Sequence, residues 1–201
     1  MPQGALSGNL RRYTVNNRLY RWHIAQFLEQ LATLVAQTQP KTLLDVGCGE
    51  GFVAAFLKQR LPEVEITGID ASVSALAYAQ AHFGQYATFR RGDIYGLPFP
   101  DRAFDTVVCS EVLEHLEDPE SAIAELKRVA RRYVVLTVPL EPYFRWLNRL
   151  GQWLRVSEDP GHVQFWTHAA FKRLVQQHFN EAKLYRKHIY QLACGYVDAA
   201  T

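Results

Sequence analysis

Apolar residues first fall into a regular rhythm at Tyr20, Ile24, Phe27, Leu28, Leu31, Leu34 and Val35. These spacings of three and four predict a helix with one apolar face, ended before Pro40, after a polar lead-in over residues 1–18. The rhythm then changes to short apolar runs separated by helical stretches. Thr42-Leu43-Leu44-Asp45-Val46 predicts a strand, Phe52 to Leu61 a helix stopped by Pro62, and Val64 to Ile69 a second strand ending at Asp70. Ser72 is placed to cap a helix running to Phe83, with Gly84 as its C-terminal stop. Ala87 to Arg91 predicts a third strand ending near Asp93. Phe104 to Cys109 predicts a fourth, a continuous apolar run suited to burial on both faces. Asp118 caps the next helix with Pro119 in its first turn, and Tyr133 to Val138 predicts a fifth strand.

Strands alternating with helices of this length imply βαβ units, hence a doubly wound α/β domain with a mostly parallel sheet and an added N-terminal helix. After Pro139 the alternation breaks. A helix is predicted from His168 to Phe179 and a late strand from Lys183 to Tyr190, and Leu192 to Ala200 is left open as one more strand. We divide the single domain of residues 1–201 into a helical lead-in (1–39), a ligand-binding core (40–140) and an insertion (141–167). In the insertion, Tyr143, Phe144, Trp146, Leu147, Leu150, Trp153 and Leu154 fall near one helical face, and Arg145, Arg149 and Arg155 mostly on another. A lid, a homodimer contact and a membrane-surface contact through residues 143–156 all remain open for it.

The most informative stretch is Leu43-Leu44-Asp45-Val46-Gly47-Cys48-Gly49-Glu50-Gly51, a strand running into glycines at every second position and then a helix. Glycines there allow a tight turn and close approach of a ligand to bare backbone, at the strand end where open α/β sheets bind ligands. The spacing is G-x-G-x-G, not the dinucleotide fingerprint G-x-G-x-x-G, and the phosphate loop G-x-x-x-x-G-K-[ST] is absent. Asp45, two residues before the first glycine, would repel a pyrophosphate but suits a cationic amino-acid ligand. Asp70 ends the second strand, where a carboxylate can accept both hydroxyls of a ribose.

Asp45 to Gly51, followed by Gly68-Ile69-Asp70, resembles the first two motifs of class I methyltransferases that use S-adenosylmethionine. The resemblance continues through Arg91-Gly92-Asp93-Ile94, Phe104 to Ser110 and Glu111-Val112-Leu113-Glu114-His115, and covers roughly residues 40–140. It is similar above all to the broad type 11 methyltransferase domain group, which includes quinone-biosynthesis enzymes. The resemblance implies a Rossmann-like sheet of the seven-stranded type, S-adenosylmethionine as cofactor, and methyl transfer to a small-molecule acceptor, aromatic or lipid-like in character. It assigns Gly47 and Gly49 to the methionine end of the cofactor, with Asp45, Cys48, Gly51 and Ala71 also in the cofactor-binding set. Asp70 goes to the ribose, Asp93 and Ile94 to the adenine, Cys109 and Ser110 to the methionine side, and Glu111 to the pocket wall. In this family the insertion after the fifth strand covers the acceptor pocket.

Methyl transfer is an in-line displacement that needs chiefly proximity and alignment, worth on the order of 7–11 kcal/mol. A base is needed only where the acceptor has a proton to lose, and His115 is the candidate for that role. Glu111, Glu114 and His115 also resemble the metal-binding set of small-RNA 3′-terminal 2′-O-methyltransferases, with His162 as a further ligand. The same Glu-x-x-Glu-His pattern is an ordinary pocket wall in type 11 enzymes. We adopt that assignment and expect no metal. An RNA-terminus methyltransferase and a non-catalytic S-adenosylmethionine-binding protein stand as the alternatives.

Composition narrows these choices further. Hydrophobic residues make up 48% and charged residues 21% of the 201, as in ordinary globular domains, and no apolar run reaches the roughly 18–20 residues of a membrane span. Met1 to Leu10 lacks signal-peptide character, so a cytoplasmic location is expected. The cysteines Cys48, Cys109 and Cys194 are odd in number and widely spaced, which disfavours both disulfides and a zinc knuckle. Buried packing beside the ligand, not a nucleophilic relay, is the expected role of Cys48 and Cys109. The net charge of +2 does not by itself point to nucleic acid. Nor does the fourth-strand motif Cys109-Ser110-Glu111-Val112, which is unlike the Asn-Pro-Pro-Tyr of base-methylating enzymes, so no nucleic-acid partner is expected. Residues 41–120 hold 6 Lys/Arg against 13 Asp/Glu, and residues 121–201 hold 12 against 6. An acidic centre suits a cationic ligand, but solvated helix faces of opposite sign would give the same bias.

Overall fold

The computed structural model describes residues 18–141 and 163–197. Seven strands form one sheet in the order β3-β2-β1-β4-β5-β7-β6. The strands are β1 (Thr42–Val46), β2 (Glu65–Asp70), β3 (Thr88–Arg91), β4 (Phe104–Ser110), β5 (Ala130–Pro139), β6 (Ala182–Lys187) and β7 (Tyr190–Tyr196). The helices between them are α1 (Arg18–Gln37), α2 (Phe52–Arg60), α3 (Val73–Phe83), α4 (Pro119–Val129) and α5 (His168–His178), with a short 3-10 turn at Leu113–His115. The pairings among β1 to β5 are parallel, and β7 pairs antiparallel with both β5 and β6. This is the expected doubly wound, mostly parallel sheet with an added N-terminal helix.

The period-two alternation along the central strands divides the core between two faces. Leu44 and Val46 of β1, Val107 and Cys109 of β4, and Val134, Leu136 and Val138 of β5 pack with Ile123, Leu126, Phe171 and Val175 from α4 and α5. The opposite parity, Leu43, Val108 and Val135, packs with Phe27, Leu31, Val35, Ala54 and Leu57 from α1 and α2. On that second face the apolar series gives way to polar residues near the carboxyl ends of the strands, at Asp45, Ser110 and Thr137. A strand buried on both faces has no reason of its own to end in polar side chains, so the change marks where the sheet stops being only core.

Side-chain caps account for three of the helix starts. Ser72 Oγ accepts the Ala75 N–H at 3.2 Å, Asp118 Oδ1 that of Ser121 at 3.0 Å, and Thr167 Oγ1 that of Ala170 at 3.2 Å. Gly84 stops α3 as expected, in a right-handed conformation (φ −59°) that makes no use of glycine's left-handed freedom. One expectation needs correction. The strand expected over residues 183–190 contains a turn at His188, which has φ 54°. β6 therefore stops at Lys187, and β7 is the additional strand left open from sequence. The aromatic segment 143–156 lies outside the described residues.

Arg128 of α4 fixes the connection between β3 and β4. Its guanidinium donates to the carbonyls of Leu97 (3.0 Å) and Phe99 (2.8 Å) and pairs with Asp101 (2.8 Å) and Glu125 (2.7 Å). Glu125 in turn accepts the Leu97 N–H at 2.7 Å, and Arg128 holds its carboxyl below the usual range. Arg128→Ala is expected to lower the unfolding free energy by roughly 2–3 kcal/mol, because charged hydrogen bonds to half-buried carbonyls are lost together. Urea unfolding curves measure this, and a change below about 0.5 kcal/mol would show that the clamp is unimportant.

Candidate active site

The strand order reverses between β1 and β4, since β2 and β3 lie on one side of this pair and β5 on the other. Such a switch point leaves a crevice at the carboxyl ends of the strands. The glycine loop leaves β1 at this crevice. Gly47, Gly49 and Gly51 have φ of 72°, 51° and 83°, so all three occupy the left-handed region, as a turn of this sharpness requires. The N–H groups of Gly47 and Cys48 donate to the Ile69 carbonyl at 2.8 and 3.1 Å, which binds the loop to the end of β2. A Cβ on Gly47 would lie 2.4 Å from Val112 Cγ2, so the space above the loop is closed on that side.

Asp70 fastens the same region. One carboxylate oxygen accepts the Gly49 N–H and the other the Ser72 N–H, each at 2.8 Å, and its carbonyl accepts the Gly92 N–H at 3.0 Å. Ala71 is the exposed residue between the two anchors. A carboxylate offers about four acceptor sites, so two backbone bonds leave capacity for a pair of hydroxyls. Next in the crevice come Asp93, exposed, whose Oδ1 accepts the Tyr95 N–H at 3.0 Å, and Ile94, half-buried against the core.

Asp45 is 1% exposed, and its Oδ2 has no hydrogen-bond partner. Burial, with the nearby Asp70 charge, pushes its carboxyl up to about 7, while the Ala54 N–H pulls the other way. Burial also drives the Cys48 and Cys109 thiols far above their ordinary range, so both stay protonated and neither is an activated nucleophile.

On the other side of the switch point, Ser110 Oγ lies 3.0 Å from Thr137 Oγ1, and the Glu111 N–H donates to the carbonyl and hydroxyl oxygens of Thr137, both at 3.1 Å. Glu111 adopts φ 57°, a left-handed conformation that costs a non-glycine residue energy and recurs at functional turns. The following 3-10 turn sends its side chains opposite ways: Glu114 is buried and His115 exposed. The Glu114 carbonyl accepts the N–H groups of Val163 (2.8 Å) and Gln164 (2.9 Å), tying the last residues of the insertion to the 3-10 turn after β4. No group of three or more His, Cys, Asp or Glu side chains arranged to hold a metal occurs among the described residues, and His162 lies outside them.

Sequence reasoning missed three buried polar residues here, Glu50, Thr137 and Glu141. Thr137 had a usable signal, a hydroxyl inside the apolar run Val134-Val135-Leu136-Thr137-Val138. Glu50 and Glu141 carried none, since an acidic residue in a loop is ordinarily exposed.

A cradle of left-handed glycines, a strand-end carboxylate with spare acceptor capacity and a buried carboxylate with an orphaned oxygen together fit a ribose-bearing ligand with a cationic amino-acid end. Comparison with known proteins agrees with this chemistry. The methyltransferase domain family model matches residues 44–137. An uncharacterized methyltransferase of Schizosaccharomyces pombe is 36% identical over 129 residues, covering 58% of this chain and 46% of that protein. The demethylmenaquinone methyltransferase of Thermus thermophilus is 35% identical over 138 residues, 65% of this chain and 63% of that enzyme. The chain thus spans about half to two thirds of the length of these curated relatives. In fold it is similar to the magnesium protoporphyrin IX methyltransferase of Synechocystis with bound S-adenosylhomocysteine, with a TM-score of 0.69 at 20% identity over 94% of this chain and 92% of that one. Over residues 44–137 the chain therefore matches the methyltransferase domain family, and its sheet shares the fold of a methyltransferase that binds S-adenosylhomocysteine.

Proposed function

We propose that the protein transfers a methyl group from S-adenosylmethionine to a small-molecule acceptor. The observation that carries this is the glycine loop held in left-handed conformation against Asp70 at the switch point of the sheet. When bound, the cofactor supplies an electrophilic methyl group on a sulfonium sulfur. The backbone of Gly47 and Gly49 admits its methionine end, beside Asp45, Cys48 and Gly51. Asp70, with Ala71 adjacent, receives the ribose hydroxyls, and Asp93 and Ile94 receive the adenine. Cys109, Ser110 and Glu111 form the wall between cofactor and acceptor. Exclusion of water and alignment of the acceptor are then the main catalytic contributions. His115, exposed just past the end of β4, is the group placed to take a proton from a hydroxyl or enol acceptor.

The experiment is incubation of the protein with radiolabelled S-adenosylmethionine and a metabolite extract, followed by chromatography of labelled products. Label is expected in a small molecule, with turnover unaffected by chelator. With an acceptor that must lose a proton, His115→Ala is expected to slow turnover by roughly 10²–10⁴-fold. Label in RNA that chelator abolishes and magnesium or manganese restores would replace this reading with the metal-dependent RNA-terminus one. Cofactor binding without turnover on any acceptor would leave a binding protein.

A further inference from the structure

We propose that cofactor binding is coupled to release of a proton from Asp45, so that affinity for the cofactor rises with pH up to neutrality. This rests on the assignment of the glycine loop to S-adenosylmethionine and adds a proton to that equilibrium. The Asp45 carboxyl on β1 is buried, has Oδ2 unpartnered, and forms no ion pair among the described residues.

The titratable groups that interact with Asp45 are an acid and two thiols. Asp70 acts on it from β2, Cys48 lies near it on the loop and Cys109 on β4, while α2 contributes the Ala54 N–H; Glu50 and Glu114 act in turn on those two thiols. Burial and the Asp70 charge accordingly raise its carboxyl to about 7. A buried acid without a counter-charge keeps its proton, and a ligand that brings a positive charge favours the anion. The proton passes to the buffer as the α-ammonium group of the cofactor's zwitterionic amino-acid end enters. In the free protein the sign of the linkage is opposite. The folded state holds a proton that the unfolded chain has lost, so stability is greatest below the ordinary value of 3.8 and declines as pH rises through about 7.

S-adenosylhomocysteine, which keeps the amino-acid end, is the probe. Calorimetric titration in two buffers of different ionisation enthalpy measures the protons released per ligand bound. Release is expected to approach one proton at about pH 6 and to fade above about pH 8, with affinity improving up to about tenfold per pH unit below neutrality. Asp45→Asn is expected to abolish both the release and the pH dependence of affinity. Carboxyl 13C NMR of the free wild-type protein gives a readout that needs neither ligand nor variant: the Asp45 resonance should titrate near neutrality. Titration at roughly pH 3–5 overturns the proposal. So does ligand binding without proton release at about pH 6, or release that persists in the Asn variant, while the cofactor assignment itself would survive. Failure of the ligand to bind at any pH overturns that assignment, and the proposal with it.

Discussion

Asp70→Ala should weaken binding of S-adenosylhomocysteine by roughly 10²–10⁴-fold. Two hydrogen bonds from hydroxyls to a charged acceptor are worth roughly 1.5–3 kcal/mol each, and alanine removes both. The effect is compounded before any ligand arrives. Both carboxylate oxygens already hold backbone, one on Gly49 and one on Ser72, so the substitution frees the middle of the glycine loop as well as the helix start after β2. Calorimetry with the purified variant measures the affinity, and a circular dichroism melt separates loss of the site from loss of the fold. Unchanged affinity in a folded variant would refute the ribose assignment.

The second large effect is expected at Gly47. Here φ is 72°, and an added Cβ would stand 2.4 Å from Val112 Cγ2 and 3.2 Å from Cγ1. Gly47→Val therefore meets backbone strain and a steric clash together, each worth about 1–3 kcal/mol, and the loop must move away from the position that admits the ligand. Loss of measurable cofactor binding is expected, with the unfolding free energy lowered by roughly 2–4 kcal/mol. The milder Gly47→Ala divides the two causes. Adding Val112→Ala should recover the part of the stability due to the clash and leave the part due to positive φ. Normal binding by Gly47→Ala would mean that the ligand does not approach the loop at this point. At Gly49, where φ is 51°, valine faces the same conformational penalty and loss of binding is again expected.

The half of the site proposed for the cofactor was more legible in the sequence than the half proposed for the acceptor, and the reason is covalent proximity. Asp45, Gly47, Gly49 and Gly51 lie within seven consecutive residues, and the chemistry of that turn is local: alternate glycines, a preceding strand, a following helix. Asp70 stood out because it ends a strand, and strand ends in such sheets converge on one crevice. The side proposed for the acceptor is assembled instead from distant pieces. Glu114 meets Val163 and Gln164 through backbone hydrogen bonds across nearly fifty residues, and Thr137 on β5 supports Ser110 and Glu111 on β4. No window of sequence contains such pairs, and the segment 142–162 between them lies outside the described residues.

The sequence by itself determined the alternation of strands and helices, the caps at Ser72 and Asp118, and the turn at the glycine loop. Each depends on side-chain size, backbone freedom or hydrogen-bonding capacity within a few residues. Tertiary structure decided the order of the strands, the antiparallel return of β7 between β5 and β6, and which polar residues are buried. Glu114 and His115 are neighbours of similar polarity in sequence, yet packing against the sheet buries one and leaves the other in solvent. Asp45 shows the same division within one side chain. Its place before the glycines is written in the chain, but its affinity for a proton depends on desolvation and on Asp70, a neighbour that only the pairing of β1 with β2 brings near.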